Sequence, residues 1–164
     1  MKGFIKDIEA LATGNVNFRQ VLYTAQHCQL VVMSLKPGED IGVEVHKLDQ
    51  FFRVEEGNGE VVLDDVHSPV RAGFAILVPA GTKHNIVNTG QVPLKLYTLY
   101  APPNHRDGVV HATRADADKD DEKYDGKPTE RRIAVTVSDK GSVVPVSLRP
   151  RLSLRFGTPS NASA

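Results

Sequence analysis

The amino-acid sequence predicts an all-β domain, a sandwich or barrel of short antiparallel strands, and three observations carry that expectation. Short runs rich in Val, Leu, Ile, Phe, Tyr and Thr recur along residues 20–100, separated by Gly, Pro, Asn and Asp turns. Several of these runs alternate apolar and polar residues with a period of two, the pattern of a half-buried strand. No strongly amphipathic helix lies between them, which argues against a βαβ arrangement.

Residues 4–12 come first and can form a short helix. Residues 20–35 are β-rich and stop at the turn signal Pro37-Gly38, with Cys28 expected inside an early strand as a core or interface residue. Residues 41–46 and 50–56 alternate. Gly57-Asn58-Gly59 is expected to reverse the chain as a hairpin turn, with 60–64 as the second arm. Phe74 to Val78 is a short apolar run closed by Pro79-Ala80-Gly81. His84 to Val87 and Leu94 to Tyr100 supply two more strands, and Pro102-Pro103 ends the series. Residues 113–123 can form a second short helix.

A chain of 164 residues suffices for one domain with a sizeable core. The longest apolar run falls well short of the roughly 18 residues that cross a bilayer, and Met1-Lys2-Gly3-Phe4-Ile5-Lys6-Asp7 places charges where a signal peptide needs apolar residues. One cysteine cannot form an internal disulfide, so a cytoplasmic location is expected, with no membrane partner. The net charge of zero hides an asymmetry. Residues 1–126 hold 13 Lys/Arg and 18 Asp/Glu, whereas 127–164 hold 7 and 2. An acidic body is unsuited to nucleic acid, and the basic tail reads as solvated. Its composition, rich in Ser, Pro, Arg and Gly, offers little apolar surface to offset ordering entropy. The domain is therefore expected to occupy residues 1–125, with 126–164 a poorly structured tail unnecessary for function. Two apolar stretches there, 133–137 and 143–146, could add an edge strand at most.

Two stretches carry chemistry. In the first, Glu44 and His46 are two apart in a strand and project to one face, and Gln50 shares their parity one bend later. In the second, Pro79-Ala80-Gly81 presents His84 at the start of a strand. The spacing Gly38…Glu44-x-His46…Gln50…Gly57, followed by Gly73…Pro79-x-Gly81…His84…Asn88, resembles the two motifs of the cupin superfamily. The second motif fits at every fixed position. In the first, Glu44 stands in place of a motif histidine and Gln50 in place of the motif glutamate. The resemblance covers residues 17–104 and is closest to small single-domain cupins of the mannose-6-phosphate-isomerase-like type.

That resemblance implies a double-stranded β-helix, or jelly-roll-like barrel, with a short N-terminal helix, a metal inside one mouth, and a homodimer. Glu44, His46, Gln50 and His84 are the expected ligands of one divalent ion: Fe, Mn, Ni or Zn. All four are ligand-competent, and the two exchanges leave the ligand charge at −1. Asn88 is expected to bond backbone near its turn, and Phe52, Thr98 and Tyr100 to line the pocket. His27, His67, His105 and His111 have no motif partners and are expected on the surface or in loops, the last two within reach of the barrel mouth. A small oxygenated molecule, such as a sugar, sugar acid or oxo-acid, is the expected partner. An isomerase, epimerase or lyase is the leading function, with an iron-dependent dioxygenase and a non-catalytic ligand-binding cupin as alternatives. No catalytic residue is assigned.

Overall fold

The computed structural model describes residues 2–130 and two short strands at 135–137 and 143–145. In chain order the elements are α1 (Ile8–Gly14), β1 (Arg19–Thr24), β2 (Gln29–Leu35), β3 (Glu44–Val45), β4 (Asp49–Glu56), β5 (Asn58–Leu63), β6 (Val66–Arg71), β7 (Ala75–Val78), β8 (Lys83–Val87), β9 (Leu94–Ala101), β10 (Val110–His111), α2 (Arg114–Lys119), β11 (Val135–Val137) and β12 (Val143–Pro145). Within Met1–Arg131, one compact unit, the strands form two antiparallel sheets. The larger has the order β10-β1-β2-β9-β4-β7 and the smaller β3-β8-β5-β6. No helix among the described residues is long and apolar enough to cross a membrane.

The period-two pattern decides which side chains enter the core. Val31, Thr98, Phe52 and Ile76 are register partners across β2, β9, β4 and β7, and all four are buried. Met33, Leu96 and Val54 form the next inward row. They meet Ile41, Val61, Val70 and Ile86 of the facing sheet in one apolar cluster. Burying such side chains is worth about 1.5–3 kcal/mol each, which sets the register against a one-residue slip.

Gly57-Asn58-Gly59 is not a hairpin turn. β4 pairs with β7 and β9, whereas β5 pairs with β6 and β8, so the chain changes sheets at Gly57. The glycines serve close backbone approach: a Cβ on Gly59 would lie 2.3 Å from the Val87 carbonyl oxygen, and one on Gly57 2.8 Å from that of Pro93. The hairpin lies at Asp64-Asp65, both at positive φ, where a short polar side chain tolerates the left-handed region.

A further expectation changes: Cys28 is exposed between β1 and β2, not inside a strand. Lys95, on the outward side of β9, is buried and donates its Nζ to the carbonyl of Asn15, just past α1. That helix is capped by Asp7, whose Oδ1 accepts from the Ala10 amide at 3.0 Å, and it covers part of the outer face of the larger sheet.

After β9 the segment 102–130 folds back onto the body. Gln29 holds it from inside: its Nε2 donates to the His105 carbonyl at 2.7 Å and its Oε1 accepts from the His105 amide at 2.9 Å. Thr129 pairs with the Thr24 backbone, donating its amide at 2.9 Å and accepting at Oγ1 at 2.8 Å. Beyond it, β11 and β12 pair antiparallel with Pro145 as the last residue of its strand. The rest of the tail lies outside the described residues.

Candidate metal centre

Three of the four expected ligands come from one sheet and its edge, and the fourth from the other. Glu44 and His84 are direct register partners on β3 and β8, so their side chains share a face by construction. His46 follows β3 two residues on. Gln50 is the second residue of β4, paired with Val78 and Tyr100. The turn 79–82 is fastened to the first motif: the Gly81 amide donates to the His46 carbonyl at 2.7 Å and the Ala80 amide to Asp49 Oδ1 at 2.9 Å. Gly81 sits at φ +87°, which a Cβ would disfavour. Asn88 donates to the carbonyls of Leu35 and Val92 and accepts from the Gly90 amide, so its role is backbone bracing.

The ligating atoms of Glu44, His46 and His84 all lie within 4.8 Å of one another. Glu44 Oε2 is 3.0 Å from His46 Nε2 and 3.8 Å from His84 Nε2, and Gln50 Oε1 is 3.1 Å from His84 Nε2. Ligand bonds of about 2.0–2.2 Å require neighbouring donor atoms roughly 3.0–3.5 Å apart, a spacing the Glu44–His46 and Gln50–His84 contacts meet and the Glu44–His84 contact, at 3.8 Å, slightly exceeds.

A second observation bears on the fit. His84 Nδ1 lies 3.1 Å from the Thr82 carbonyl, which can only accept, so Nδ1 carries the proton. Nε2 then faces Gln50, bearing a lone pair whenever the ring carries a single proton. Gln50 gives its Nε2 to Thr98 Oγ1 at 3.1 Å, which turns its Oε1 toward His84 Nε2. Two acceptors thus face each other inside a pocket where both residues are only 1% exposed. Positive charge between them, a proton or a metal ion, removes the repulsion. Burial pushes the Glu44 carboxyl up, but the hydrogen bond with His46 and the charges of His46, Arg19 and His84 outweigh it and hold the group below its ordinary value. A deprotonated carboxylate is what a metal requires.

Around these atoms Tyr100 stands edge-on to both His46 and His105, with ring centroids 5.9 and 5.0 Å away. Burial, first, and the charge of Glu44 raise the Tyr100 hydroxyl well above its ordinary value, so it stays protonated. His105 lies in the loop after β9, as expected, and His111 in β10; both are buried, at 5% and 4% exposed, and not on the surface. His105 Nδ1 is 2.7 Å from Glu122 Oε1. Burial depresses the His105 pKa despite that carboxylate. Glu122 is pushed up by burial, yet hydrogen bonds from His105 and the Arg106 amide leave it below its ordinary value. Sequence reasoning missed Glu122 because it lies in a tract of acids whose other members are solvated. Arg19 was also missed; its one signal is that it shares parity with inward-facing Val21.

The His105–Glu122 pair gives an acid response with a definite sign. Both pKa values lie below their unfolded values, so the unfolded chain binds more protons as pH falls. The stabilisation is present above the unfolded pKa values and is lost on acidification, first through the histidine and then the carboxylate range. Melting temperature should fall on going from pH 7 to pH 4, and Glu122→Gln should lower the plateau at pH 7 and steepen the loss through the histidine range, because the carboxylate that partly restores the His105 pKa is gone. A slope unchanged by Glu122→Gln would show that other groups control acid unfolding.

The fold and the two-motif site define a class, and similarity to other proteins agrees. Residues 31–100 match the family model described as Cupin domain, and the chain belongs to that family. It is 48% identical over 123 residues to YrkC, an uncharacterised protein of Bacillus subtilis (strain 168), covering 71% of this chain and 66% of that one. It is 37% identical over 116 residues to the uncharacterised protein L612 of Acanthamoeba polyphaga mimivirus, covering 68% of this chain and 72% of that one. A Bacillus halodurans protein of known crystal structure is 48% identical, with a TM-score of 0.70 over 71% of this chain and 93% of that one.

Proposed function

We propose that this cupin is a metal-dependent enzyme of the isomerase, epimerase or lyase type, acting on a small oxygenated molecule, with Glu44, His46, Gln50 and His84 as ligands of one divalent ion. The observation that carries the reading is the convergence of two imidazoles, a carboxylate held ionised and an amide oxygen on one locus. When bound, the ion would polarise a substrate oxygen and acidify the adjacent C–H. Gln50 is neutral and cannot take up that proton. His105 can: its Nδ1–H is given to Glu122, which leaves Nε2 basic, and burial keeps the ring neutral. Tyr100, held protonated between His105 and His46, supplies a hydroxyl that can donate a hydrogen bond.

The test is elemental analysis of the natively purified full chain, followed by anaerobic incubation in D₂O with C3–C6 sugars, sugar acids and oxo-acids. Metal-dependent deuterium uptake at carbon is the expected result. A second reading, an iron dioxygenase, is favoured by one feature, the two-histidine, one-carboxylate donor set. Strict oxygen dependence would select it. Ligand-induced stabilisation without turnover of any kind would instead make the protein a binding module.

The reading extends to assembly. Leu30, Leu99, Phe51 and Leu77 form a register row on the outer face of the larger sheet, and Leu77 is 67% exposed. We infer a homodimer with a two-fold interface built on this row. Light scattering at micromolar concentration should give twice the chain mass, and Leu77→Glu should give the chain mass; a monomer in the unaltered protein contradicts the inference.

A further inference from the structure

We infer that the molecule received by this site carries a carboxylate and that Arg19 is the residue that receives it; this rests on the metal-dependent reading above and narrows its substrate class from oxygenated molecules in general to acids. Arg19 opens β1 and is the register partner of Met33, a member of an inward-facing row, and of His111 on the other side. Its side chain therefore enters the barrel, and the residue is only 8% exposed. A guanidinium has five N–H donors and is charged at every accessible pH. Among the described residues none of the five makes a hydrogen bond, and Nε is buried without a partner. The nearest acid is Glu44, with its Oε1 3.7 Å from an Arg19 terminal nitrogen, beyond hydrogen-bond range. The Phe18 ring, 5.6 Å from the guanidinium carbon, supplies a cation–π contact but accepts no N–H.

The ion pair with Glu44 leaves the guanidinium fork without a hydrogen-bond acceptor and Nε buried and unmet, and an anion that accepts from the fork recovers that cost. The position of Arg19 says which anion. Glu44 turns Oε2 toward His46 and His84 and Oε1 toward Arg19, so guanidinium and metal locus stand on either side of one carboxylate. A small acid that offers one oxygen to the metal locus can offer a carboxylate oxygen to Arg19 within the same few ångströms. The planar fork of arginine matches a carboxylate, whereas the hydroxyls of a neutral sugar need no such partner. Charge agrees with shape. Glu44 offsets Arg19 and ionised Glu122 offsets one further unit, so a divalent ion would leave the mouth positive, a field that favours anions.

The experiment compares glycolate with glycolamide, which share size and chelating oxygens but differ in charge. Binding of each to the full chain as purified is measured by calorimetry, with metal content determined on the same samples. Arg19 should account for about a tenfold or greater preference for glycolate, so Arg19→Gln should lose that factor for glycolate, leave glycolamide binding unchanged and retain its metal. Arg19→Lys, which keeps charge without the fork, should fall between the two and serves if Arg19→Gln does not fold. Equal affinity for glycolate and glycolamide in the unaltered chain overturns the inference, as does a preference that survives intact in Arg19→Gln or Arg19→Lys. A chain that holds no metal overturns the metal reading instead; an Arg19-dependent glycolate preference in that chain still establishes Arg19 as the carboxylate receptor.

Discussion

Replacing His84 by alanine should leave a folded protein that no longer holds a stoichiometric metal ion. His84 is the register partner of Glu44, and its Nε2 lies near both Glu44 Oε2 and Gln50 Oε1, so the substitution removes the donor at the centre of the set. Removing an outer hydrogen-bond partner of a metal ligand typically costs 10- to 100-fold in affinity, and losing the ligand itself should cost more than about 100-fold. The metal-free fold should suffer less. The ring packs edge-on to Phe52 and leaves a small cavity, but the acceptor–acceptor contact with Gln50 disappears with it. A net loss of about 1–2 kcal/mol is expected. Elemental analysis after gel filtration measures the first effect. Melting with and without chelator measures the second: the unaltered chain should melt lower in chelator, and His84→Ala should not respond. Full occupancy in His84→Ala would remove the metal centre from this protein.

The positions of Glu44, His46, Gln50 and His84 were legible in the sequence because strand parity is local. A period of two says which residues share a face, and the spacing of glycines and Pro79 says where a strand begins. Parity does not say which strands are neighbours. That is why Gly57-Asn58-Gly59 resembled a hairpin turn when it carries the chain from one sheet to the other, its glycines answering to the Val87 and Pro93 carbonyls far along the chain. Lys95 has outward parity and is nonetheless buried, because α1 lies over that face. The His105–Glu122 pair and Arg19 were illegible for the same cause. The pair depends on the segment after β9 folding back on the body, which leaves no trace in local periodicity, and the parity of Arg19 with Val21 does not say what its guanidinium meets.

Gln50→Glu should move metal affinity in the opposite direction to His84→Ala, giving a tighter metal complex on a less stable metal-free protein. The substitution adds no volume, and Gln50 is 1% exposed, so the new carboxyl inherits the buried position between His84 and Thr98. Without metal it would add a second carboxylate near His84, beside a Glu44 already held ionised. Two such groups cannot both stay charged in a buried site, so one takes up a proton, at a cost of about 1–3 kcal/mol near pH 7. With a divalent ion present the ligand charge becomes −2, and the neutral amide oxygen, the poorest of the four donors, gives way to an anionic one. Affinity should rise by about tenfold or more, since donor charge is among the main determinants of affinity at oxygen-containing sites. The gap between melting temperatures with metal and with chelator should therefore widen from both ends. Thr98 keeps its contact, because its hydroxyl can donate to the new oxygen where it accepted from the amide. Gln50→Ala provides the control: metal binding weakened, but less than in His84→Ala, with no new acid sensitivity. Unchanged affinity in Gln50→Glu would place residue 50 outside the ligand set and leave Glu44, His46 and His84 to hold the ion with three donors.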